Sequence, residues 1–269
     1  MITQAQQWLP ERLLAVVADR SSAALALLAA CQGVPQPVNL VTRLRLDAAV
    51  YDPAPPPTGQ RGRPRTKGAR QPTLAARLSD PATNWQDATA RWYAGTTRTV
   101  RLASATAVWH HSGLPPVAIR WALITDPDGT FEPQALLSAN LAAPPTAIVA
   151  WFVQRWQLEV TFEEARAHLG IATRRQWSDV AIRRATPLLL GLFSLVCLFA
   201  HQLLQGREMP VRQAAWYAKA RPTFSDTLAF VRQRLWPATI SWMSPEEADM
   251  VKIPKALFAR LTDALAYAA

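Results

Sequence analysis

The sequence has few cysteines and no recognisable secretory leader. Its 2 cysteines, Cys31 and Cys197, both lie in apolar runs. This placement is typical of small core residues and argues against a disulfide framework or a zinc site. The first twelve residues, MITQAQQWLPER, lack the basic region followed by an apolar region that defines a signal peptide. Together these absences predict a protein of the reducing bacterial cytoplasm.

Acidic residues are scarce relative to basic ones. The 269 residues include 29 Lys or Arg and 19 Asp or Glu, which gives a formal net charge of +10. An excess of this size favours nucleic acid or another anionic surface as the partner; an ordinary basic protein is the alternative. Half of the residues are apolar, so the chain can form a sizeable core, either as one large domain or as a core with an insertion.

One apolar run, Ala185–Leu204, raises the question of a membrane. Its uncharged part is close to the shortest length that spans a bilayer as a helix. Pro187, Gly191 and the pair His201–Gln202 interrupt its apolar character, and arginines precede it. We therefore expect a buried helix of a soluble core and no membrane partner.

The N-terminal part of the chain predicts a strand, a helix and a second strand. Leu13–Ala18 is a short apolar run, an alanine- and leucine-rich segment extends to Gly33, and Pro37–Asp47 alternates apolar and basic residues. Asp19 directly follows the first predicted strand. In open α/β sheets, ligands bind at the carboxyl ends of the strands, so Asp19 is a candidate site residue.

A basic segment rich in proline and glycine, Tyr51–Pro72, follows the second strand. It predicts a loop or a mobile arm. Its RGRPR sequence, Arg61–Arg65, resembles the core of an AT-hook, which lies extended in a narrow minor groove. Non-specific contact with phosphates is the other interpretation of the loop, through Arg61, Arg63, Arg65, Lys67 and Arg70.

The rest of the chain predicts strands and then helices. Strands are expected at Thr97–His111, Val117–Asp126 and Pro133–Asn140, with DPDG as a turn between the last two. One long helix is expected over Ala143–Gly170, with Gly170 as its C-cap. The chain after this helix is expected to be mostly helical, so the fold class is a mixed α/β domain with a helical C-terminal part.

The long helix places an unusual set of side chains on one face. At about 100° per residue, Phe152, Arg155, Glu159, Phe162 and Arg166 lie within roughly 80° of one another. The set could form an ordinary ladder of helical ion pairs, each worth a few tenths of a kcal/mol. It could also provide a metal-binding carboxylate flanked by arginines that hold phosphates. The spacing alone leaves both interpretations open.

The pattern Phe152-x2-Arg155-x3-Glu159-x6-Arg166 resembles the Tyr-x2-Arg-x3-Glu-x6-Lys signature of DDE transposases from bacterial insertion sequences. Phe152 stands at the tyrosine position and Arg166 at the lysine position. The surrounding RWQLEVTFEEARAHLG and the later QWSDVAIRRATPLLLGLFSLVCL also resemble the C-terminal region of that family. The resemblance covers most of the chain from Arg12 onward.

The resemblance implies an RNase H-like fold in which two aspartates and one glutamate hold two divalent cations, Mg²⁺ or Mn²⁺. It assigns Asp19, in the context VVADRSS, to the second aspartate and Glu159 to the glutamate. It further implies DNA cleavage and strand transfer at insertion-sequence ends, in the nucleoid, with a homodimer as one possible assembly. The residues expected to contact DNA are Arg155, Arg166, Arg61, Arg63, Arg65 and Lys67.

The first aspartate of the family has no counterpart before Asp19, because the preceding 18 residues contain no aspartate. One explanation is a transposase fragment whose RNase H-like core is incomplete at the N-terminus. The other is that Asp19 is the first aspartate and that Asp126, Asp128 or Asn140 marks the second position. With only two carboxylates, we expect weak metal binding and little or no strand transfer. Rival interpretations are a catalytically inactive DNA-binding remnant and an unrelated basic α/β protein.

Under the fragment interpretation the chain has four parts. Residues 1–50 form a partial RNase H-like core, and residues 51–140 form the basic loop and a β-rich insertion. Residues 141–205 contain the helix with Glu159 and further core helices, and residues 206–269 form a helical C-terminal region. A missing first strand would also leave an open edge in the sheet.

Overall fold

The computed structural model describes residues 2–19, 23–56, 65–172, 178–213, 218–240 and 253–267. It divides into a first unit, Met1–Gln157, and a second unit, Leu158–Ala269. The first contains every described β-strand, and the second is helical in its described part.

The first unit alternates strands with short helices. Its helices are α1 (Ile2–Trp8), α2 (Leu25–Gln32), α3 (Leu74–Ser79) and α4 (Pro145–Gln154). Its strands are β1 (Ala15–Val17), β2 (Asn39–Leu44), β3 (Val50–Tyr51), β4 (Gln86–Arg91), β5 (Thr97–Trp109), β6 (Val117–Thr125) and β7 (Gln134–Ser138). The predicted strands and the turn after Thr125 are confirmed, within the usual shift of a few residues at each end.

The seven strands form one open mixed sheet. Six of them follow the order β1-β2-β7-β6-β5-β3, and β4 pairs with a different stretch of β5 than β3 does. β1 and β2 are parallel and the other pairs are antiparallel. The parallel pair with α2 between its strands is the strand–helix–strand unit that the sequence predicts. β1 is an edge strand. The strands expected in the β-rich insertion extend this same sheet, because β7 pairs directly with β2.

Apolar alternation along the strands gives the sheet two buried faces. In β2, Leu40 and Leu44 pack in the cluster that contains Leu28 of α2. Val41 points to the other face, where it packs in the cluster that contains Phe152 of α4. A strand with apolar residues on both faces is covered on both sides, and β2 accordingly lies in the interior of the sheet.

The long helix expected over Ala143–Gly170 is two helices. α4 ends at Gln154, and α5 (Trp156–Leu169) begins after Arg155. Arg155 keeps right-handed helical dihedrals (φ −52°, ψ −35°), but its N–H donates to the carbonyl of Phe152 at 3.1 Å. This shorter, three-residue bond tightens the turn and interrupts the regular helix. The expected stop is confirmed, since Gly170 has a φ of +72°, a value that favours glycine after a helix.

The described part of the second unit contains α5 from Leu158 onward, together with α6 (Asp179–Leu204), α7 (Phe224–Ile240) and α8 (Lys255–Ala266). Ser178 caps α6 by accepting a hydrogen bond from the N–H of Ala181 at 3.2 Å. A small apolar cluster joins α6 to α7. Its buried members are Val196, Ala200, Phe224, Phe230 and Val231.

α6 is not the buried core helix that its apolar sequence predicts. Val196 and Ala200 are its buried residues, and Leu188 is 72% exposed. The expectation for Cys197 is also wrong, because it is exposed, whereas Cys31 is fully buried in the first unit as expected. By length and composition, α6 is the one described helix that could cross a membrane. Its most apolar window has a mean hydropathy of 1.9 and is 11% buried.

Candidate functional site

Asp19 lies where the sequence places it, just beyond the carboxyl end of β1. The N–H of Ala18 donates to the carbonyl of Val41 at 2.9 Å. The hydroxyl of Thr42 donates to the backbone carbonyl of Asp19 at 2.8 Å. These bonds continue the parallel register, in which Val17 is the partner of Val41. Asp19 is therefore level with Arg43 of β2.

Arg43 lies on the face of the sheet that α4 covers, and Asp19 follows the neighbouring strand β1. Val17 and Val41 pack on that face, in the same cluster as Phe152. Side chains two residues apart in a strand point to the same face, so Arg43 shares the face of Val41 within β2. One end of the first unit thus brings together Asp19, Arg43 and the last turn of α4.

Phe152, at the tyrosine position of the transposase signature, is a core residue. Its side chain is 6% exposed, and the guanidinium carbon of Arg43 lies 5.4 Å from the centre of its ring. This is a cation–π distance. The Nε of Arg43 is buried and has no hydrogen-bond partner. Sequence analysis missed Arg43; the available signal was a basic residue in β2 on the same face as buried Val41.

The other residues of the predicted stripe lie nearer the surface. Arg155 is half-buried and follows α4 in the first unit. In the second unit, Glu159 lies in the first turn of α5 and Arg166 in its last turn, and both are exposed. These positions suit the helix dipole, which favours an anion near the N-terminus and a cation near the C-terminus. Ala165 is the buried residue of this helix.

The alternative second aspartate, Asp126, has a structural role in the turn after β6. Its buried carboxylate accepts a bond from the N–H of Thr130 at 2.6 Å and pairs with Arg98 at 2.7 Å. The hydrogen bonds from Thr130, with further help from Arg98, hold the pKa of Asp126 below its usual value. Three strand spacings, about 14 Å, separate β6 from β1. Asp126 is therefore not positioned to share a metal ion with Asp19, and Asp128 is an exposed residue of the same turn.

Asn140, the other alternative, lies at the opposite end of β2. Its N–H donates to the side-chain oxygen of Asn39 at 3.0 Å, and its own side-chain oxygen accepts from the N–H of Ala142 at 3.0 Å. Asn39 begins β2, four residues before Arg43, which corresponds to about 13 Å along the strand. The assignment of Asp19 as the first aspartate with Asn140 as the second therefore has no geometric support.

The C-terminal end of the basic loop is anchored on β3. The N–H of Asp52 donates to the carbonyl of Ala69 at 2.8 Å, and the N–H of Gln71 donates to the carbonyl of Val50 at 2.9 Å. Gly68 packs tightly here, since an added Cβ would lie 2.6 Å from the carbonyl oxygen of Pro53. The loop is therefore attached to the sheet, and its predicted contacts Arg61 and Arg63 lie outside the described residues.

Of the other three predicted loop contacts, Arg65 and Arg70 are exposed and Lys67 packs against the sheet. The ammonium of Lys67 lies 3.0 Å from Nδ1 of His110 and 3.9 Å from the centre of the Tyr51 ring. Burial, together with the charges of Lys67 and His111, lowers the pKa of His110. A neutral His110 can accept the hydrogen bond from Lys67, so these contacts orient Lys67 without neutralising its charge.

An aromatic cluster lies between β4 and the end of α4. Trp92 stacks on Phe131 with 5.5 Å between ring centres, and Tyr93 meets Trp92 and Trp156 edge to face. A cavity of about 270 Å³ lies beside Tyr93 and is lined in part by Arg91. Exposed rings next to a cation can stack with nucleic-acid bases, although aromatic clusters are also ordinary packing.

The described residues contain no group of three or more histidine, cysteine, aspartate or glutamate side chains that could hold a metal ion. Asp19 and Glu159 nevertheless offer carboxylate oxygens, the donors that Mg²⁺ and Mn²⁺ prefer. Mg²⁺ commonly takes only one or two protein carboxylates and completes its coordination with water and substrate phosphates. The donor type of each residue, taken by itself, therefore suits a magnesium ion.

The fold defines a mixed α/β protein with an open mixed sheet. No protein-family model matches the chain, and no curated protein matches it at a significant level.

Proposed function

We propose that this protein binds DNA and belongs functionally to the DDE transposases, with an RNase H-like core. The observation that best supports the proposal is the position of Asp19. It follows an edge strand of a parallel pair, at the end of the sheet where α4 terminates. A carboxylate at this end of an open sheet is suited to ligand binding.

Asp19 and Glu159 are the proposed ligands of Mg²⁺ or Mn²⁺. When bound, such an ion activates an oxygen nucleophile and stabilises the leaving oxygen in phosphodiester cleavage. Arg155 and Arg166 bind backbone phosphates of the transposon end and position the DNA. The basic loop adds further phosphate contacts. Within the cell this function places the protein in the cytoplasm, on the nucleoid, and a homodimer would suit a reaction on two DNA ends.

A second candidate is a DNA-binding protein without catalytic activity. The specific observation in its favour is the lack of a metal-binding cluster of three or more side chains in the described part of the chain. Two carboxylates alone predict weak metal affinity, whereas the net charge of +10 favours DNA binding in either case. The two candidates therefore differ in cleavage and agree in binding.

A plasmid-nicking assay with the purified protein separates them. Supercoiled DNA is incubated with Mg²⁺ or Mn²⁺ and with the variants Asp19→Asn and Glu159→Gln. Glu163→Gln is the matched control, because Glu163 lies on the same helix and is exposed. We expect salt-dependent DNA binding in all four proteins, and weak nicking that the first two variants abolish and the control retains.

Each result has a distinct meaning. Binding without metal-dependent nicking would favour the non-catalytic candidate. Nicking that persists in both Asp19→Asn and Glu159→Gln would show that these carboxylates are not the metal ligands. If the wild-type protein fails to bind DNA even at low salt, both candidates are wrong.

A further inference from the structure

We infer that Arg43 is a phosphate-binding residue that holds the DNA backbone next to Asp19. This inference rests on the proposed function, because it assigns to Arg43 a role in the same DNA site. Neither the transposase signature nor the basic loop includes this residue. Three features support this role: its place in β2, its lack of an ionic partner among the described residues, and the groove that it lines.

The place of Arg43 follows from strand register. The N–H of Ala18 donates to the carbonyl of Val41, and the hydroxyl of Thr42 donates to the carbonyl of Asp19. These two bonds align Asp19 with Arg43, and adjacent strands lie about 4.8 Å apart. Arg43 lies on the face that α4 covers. A phosphate group bound next to Asp19 would therefore be within reach of the long Arg43 side chain.

Arg43 has no ionic partner among the described residues. Its guanidinium carbon lies 5.4 Å from the centre of the Phe152 ring, and its Nε is buried without a hydrogen bond. Arg45, two residues later, instead binds Asp47 with an Nε–Oδ1 distance of 2.7 Å. A buried, unsatisfied N–H is costly and uncommon in folded proteins, so the contacts of Arg43 within the described residues leave its hydrogen-bonding capacity unused.

The contact with Phe152 suits such a role. A ring beneath the guanidinium restricts the side chain and leaves its N–H groups available, because a cation–π contact uses the face of the cation. The planar guanidinium can then donate two parallel hydrogen bonds to two phosphate oxygens. A restrained arginine loses less conformational entropy when it binds than a flexible one.

An open groove gives the ligand access to Arg43. It has a volume of about 460 Å³ and lies at the carboxyl end of β2. Its charged lining consists of Arg43, Arg45, Asp47 and Glu132. Asp47 is paired with Arg45. Glu132 is the other acidic side chain of the lining, and it forms no ion pair with Arg43. A phosphodiester fits the size of this groove.

The test compares substitutions of Arg43 with the same substitution at Arg45. A labelled random-sequence duplex of about 30 base pairs is titrated by fluorescence anisotropy at about 50 to 200 mM NaCl, the range in which phosphate contacts dominate. For Arg43→Gln and Arg43→Met, the slope of log K against log salt is expected to fall by about 0.9, the value for one lost phosphate contact. Arg43→Lys and Arg45→Gln are expected to keep the wild-type slope.

Thermal unfolding of the same variants separates binding from folding. Arg43→Met removes the unsatisfied N–H and keeps an apolar side chain over Phe152, so we expect its Tm to equal or exceed that of the wild type. A lower Tm for Arg43→Met with an unchanged salt slope would show that Arg43 is structural and would overturn the inference. A smaller salt slope for Arg43→Met with an unchanged Tm would support the role of Arg43 in phosphate binding.

Two further comparisons separate the remaining explanations. Inorganic phosphate at matched ionic strength should weaken DNA binding no more than NaCl does; a stronger effect that Arg43→Gln abolishes would assign the site to free phosphate instead of DNA. Wild-type protein that fails to bind the duplex would refute the proposed function itself. Wild-type binding with equal slopes for the Arg43 and Arg45 variants would refute only the role of Arg43.

Discussion

Replacement of Asp226 by asparagine should strongly destabilise the second unit. Asp226 lies in the first turn of α7, and its side chain has no exposed surface. It pairs with the ammonium of Lys219. It also accepts hydrogen bonds from the N–H of Thr223 at 2.9 Å, the N–H of Arg212 at 3.3 Å and the hydroxyl of Tyr267 at 3.2 Å. One carboxylate thus joins the start of α7 to the segment before it and to the end of α8.

The magnitude follows from the buried ion pair. Removal of one partner leaves the other charge without compensation, and this costs about 3–5 kcal/mol for a buried pair. Asparagine keeps the size and one acceptor oxygen, and Lys219 is 18% exposed, so we expect a loss near the lower end, about 3 kcal/mol. For a chain of this length, 1 kcal/mol corresponds to roughly 2–4 °C in Tm, which gives a decrease of roughly 6–12 °C.

The pH dependence has a definite sign. Burial alone would raise the pKa of Asp226, but hydrogen bonds from Lys219, Thr223 and Arg212 lower it below its usual value. The ion pair therefore stabilises the fold above the ordinary aspartate pKa of about 3.9, and this contribution is lost as the pH falls through the lower folded value. Asp226→Asn should not show this particular loss.

Thermal unfolding followed by circular dichroism, between neutral pH and pH near 3, measures both effects. Asp263→Asn is the control, because Asp263 is exposed and bonds Gln233 through a single oxygen that asparagine retains; its Tm should change little. The double variant Lys219→Met with Asp226→Asn should recover part of the lost stability. A Tm decrease for Asp226→Asn no larger than that of Asp263→Asn would refute the reasoning.

Three smaller predictions follow from packing and charge. Phe152→Ala should lower the free energy of unfolding, measured by thermal or chemical unfolding, by about 3–5 kcal/mol. Phe152→Tyr should change it by about 1 kcal/mol or less, because Phe152 borders a cavity of about 220 Å³. Gly68→Ala should lower the free energy of unfolding by about 1–3 kcal/mol, because the added Cβ would collide with backbone atoms. Gly191→Ala should raise the free energy of unfolding by about 1 kcal/mol, because this position inside α6 has open space for a Cβ. Lys67→Met should raise the pKa of His110 in an NMR titration, because it removes one of the charges that lower it; an unchanged pKa would contradict the contact.

Local patterns in the sequence were sufficient to predict most of the first unit. Leu13–Ala18 and Pro37–Asp47 became the parallel pair β1 and β2, since short apolar runs around an alanine- and leucine-rich segment specify a strand–helix–strand unit. Asp19 could be placed at a strand end for the same reason. The turn after β6 was predictable from DPDG, whose first aspartate accepts the turn hydrogen bonds.

Features that depend on tertiary packing were not predictable in this way. Helical periodicity predicted one continuous helix over Ala143–Gly170 and could not reveal the tightened turn at Arg155. The apolar composition of α6 predicted a buried helix and a core position for Cys197. Both predictions are wrong, because composition does not specify how much of a helix its neighbours cover. Arg43 was missed because its importance comes from the neighbouring strand and from Phe152, both distant in sequence.

The position of β1 has a consequence for the dynamics of the candidate site. β1 contains three residues and pairs on one side only, with β2. A short edge strand opens at a lower free energy than strands in the middle of a sheet. In a hydrogen–deuterium exchange experiment, the amides of Ala15–Val17 should therefore exchange before those of β6. Asp19 follows this strand directly, so the frequency of such local opening would limit the time for which its carboxylate is held in place.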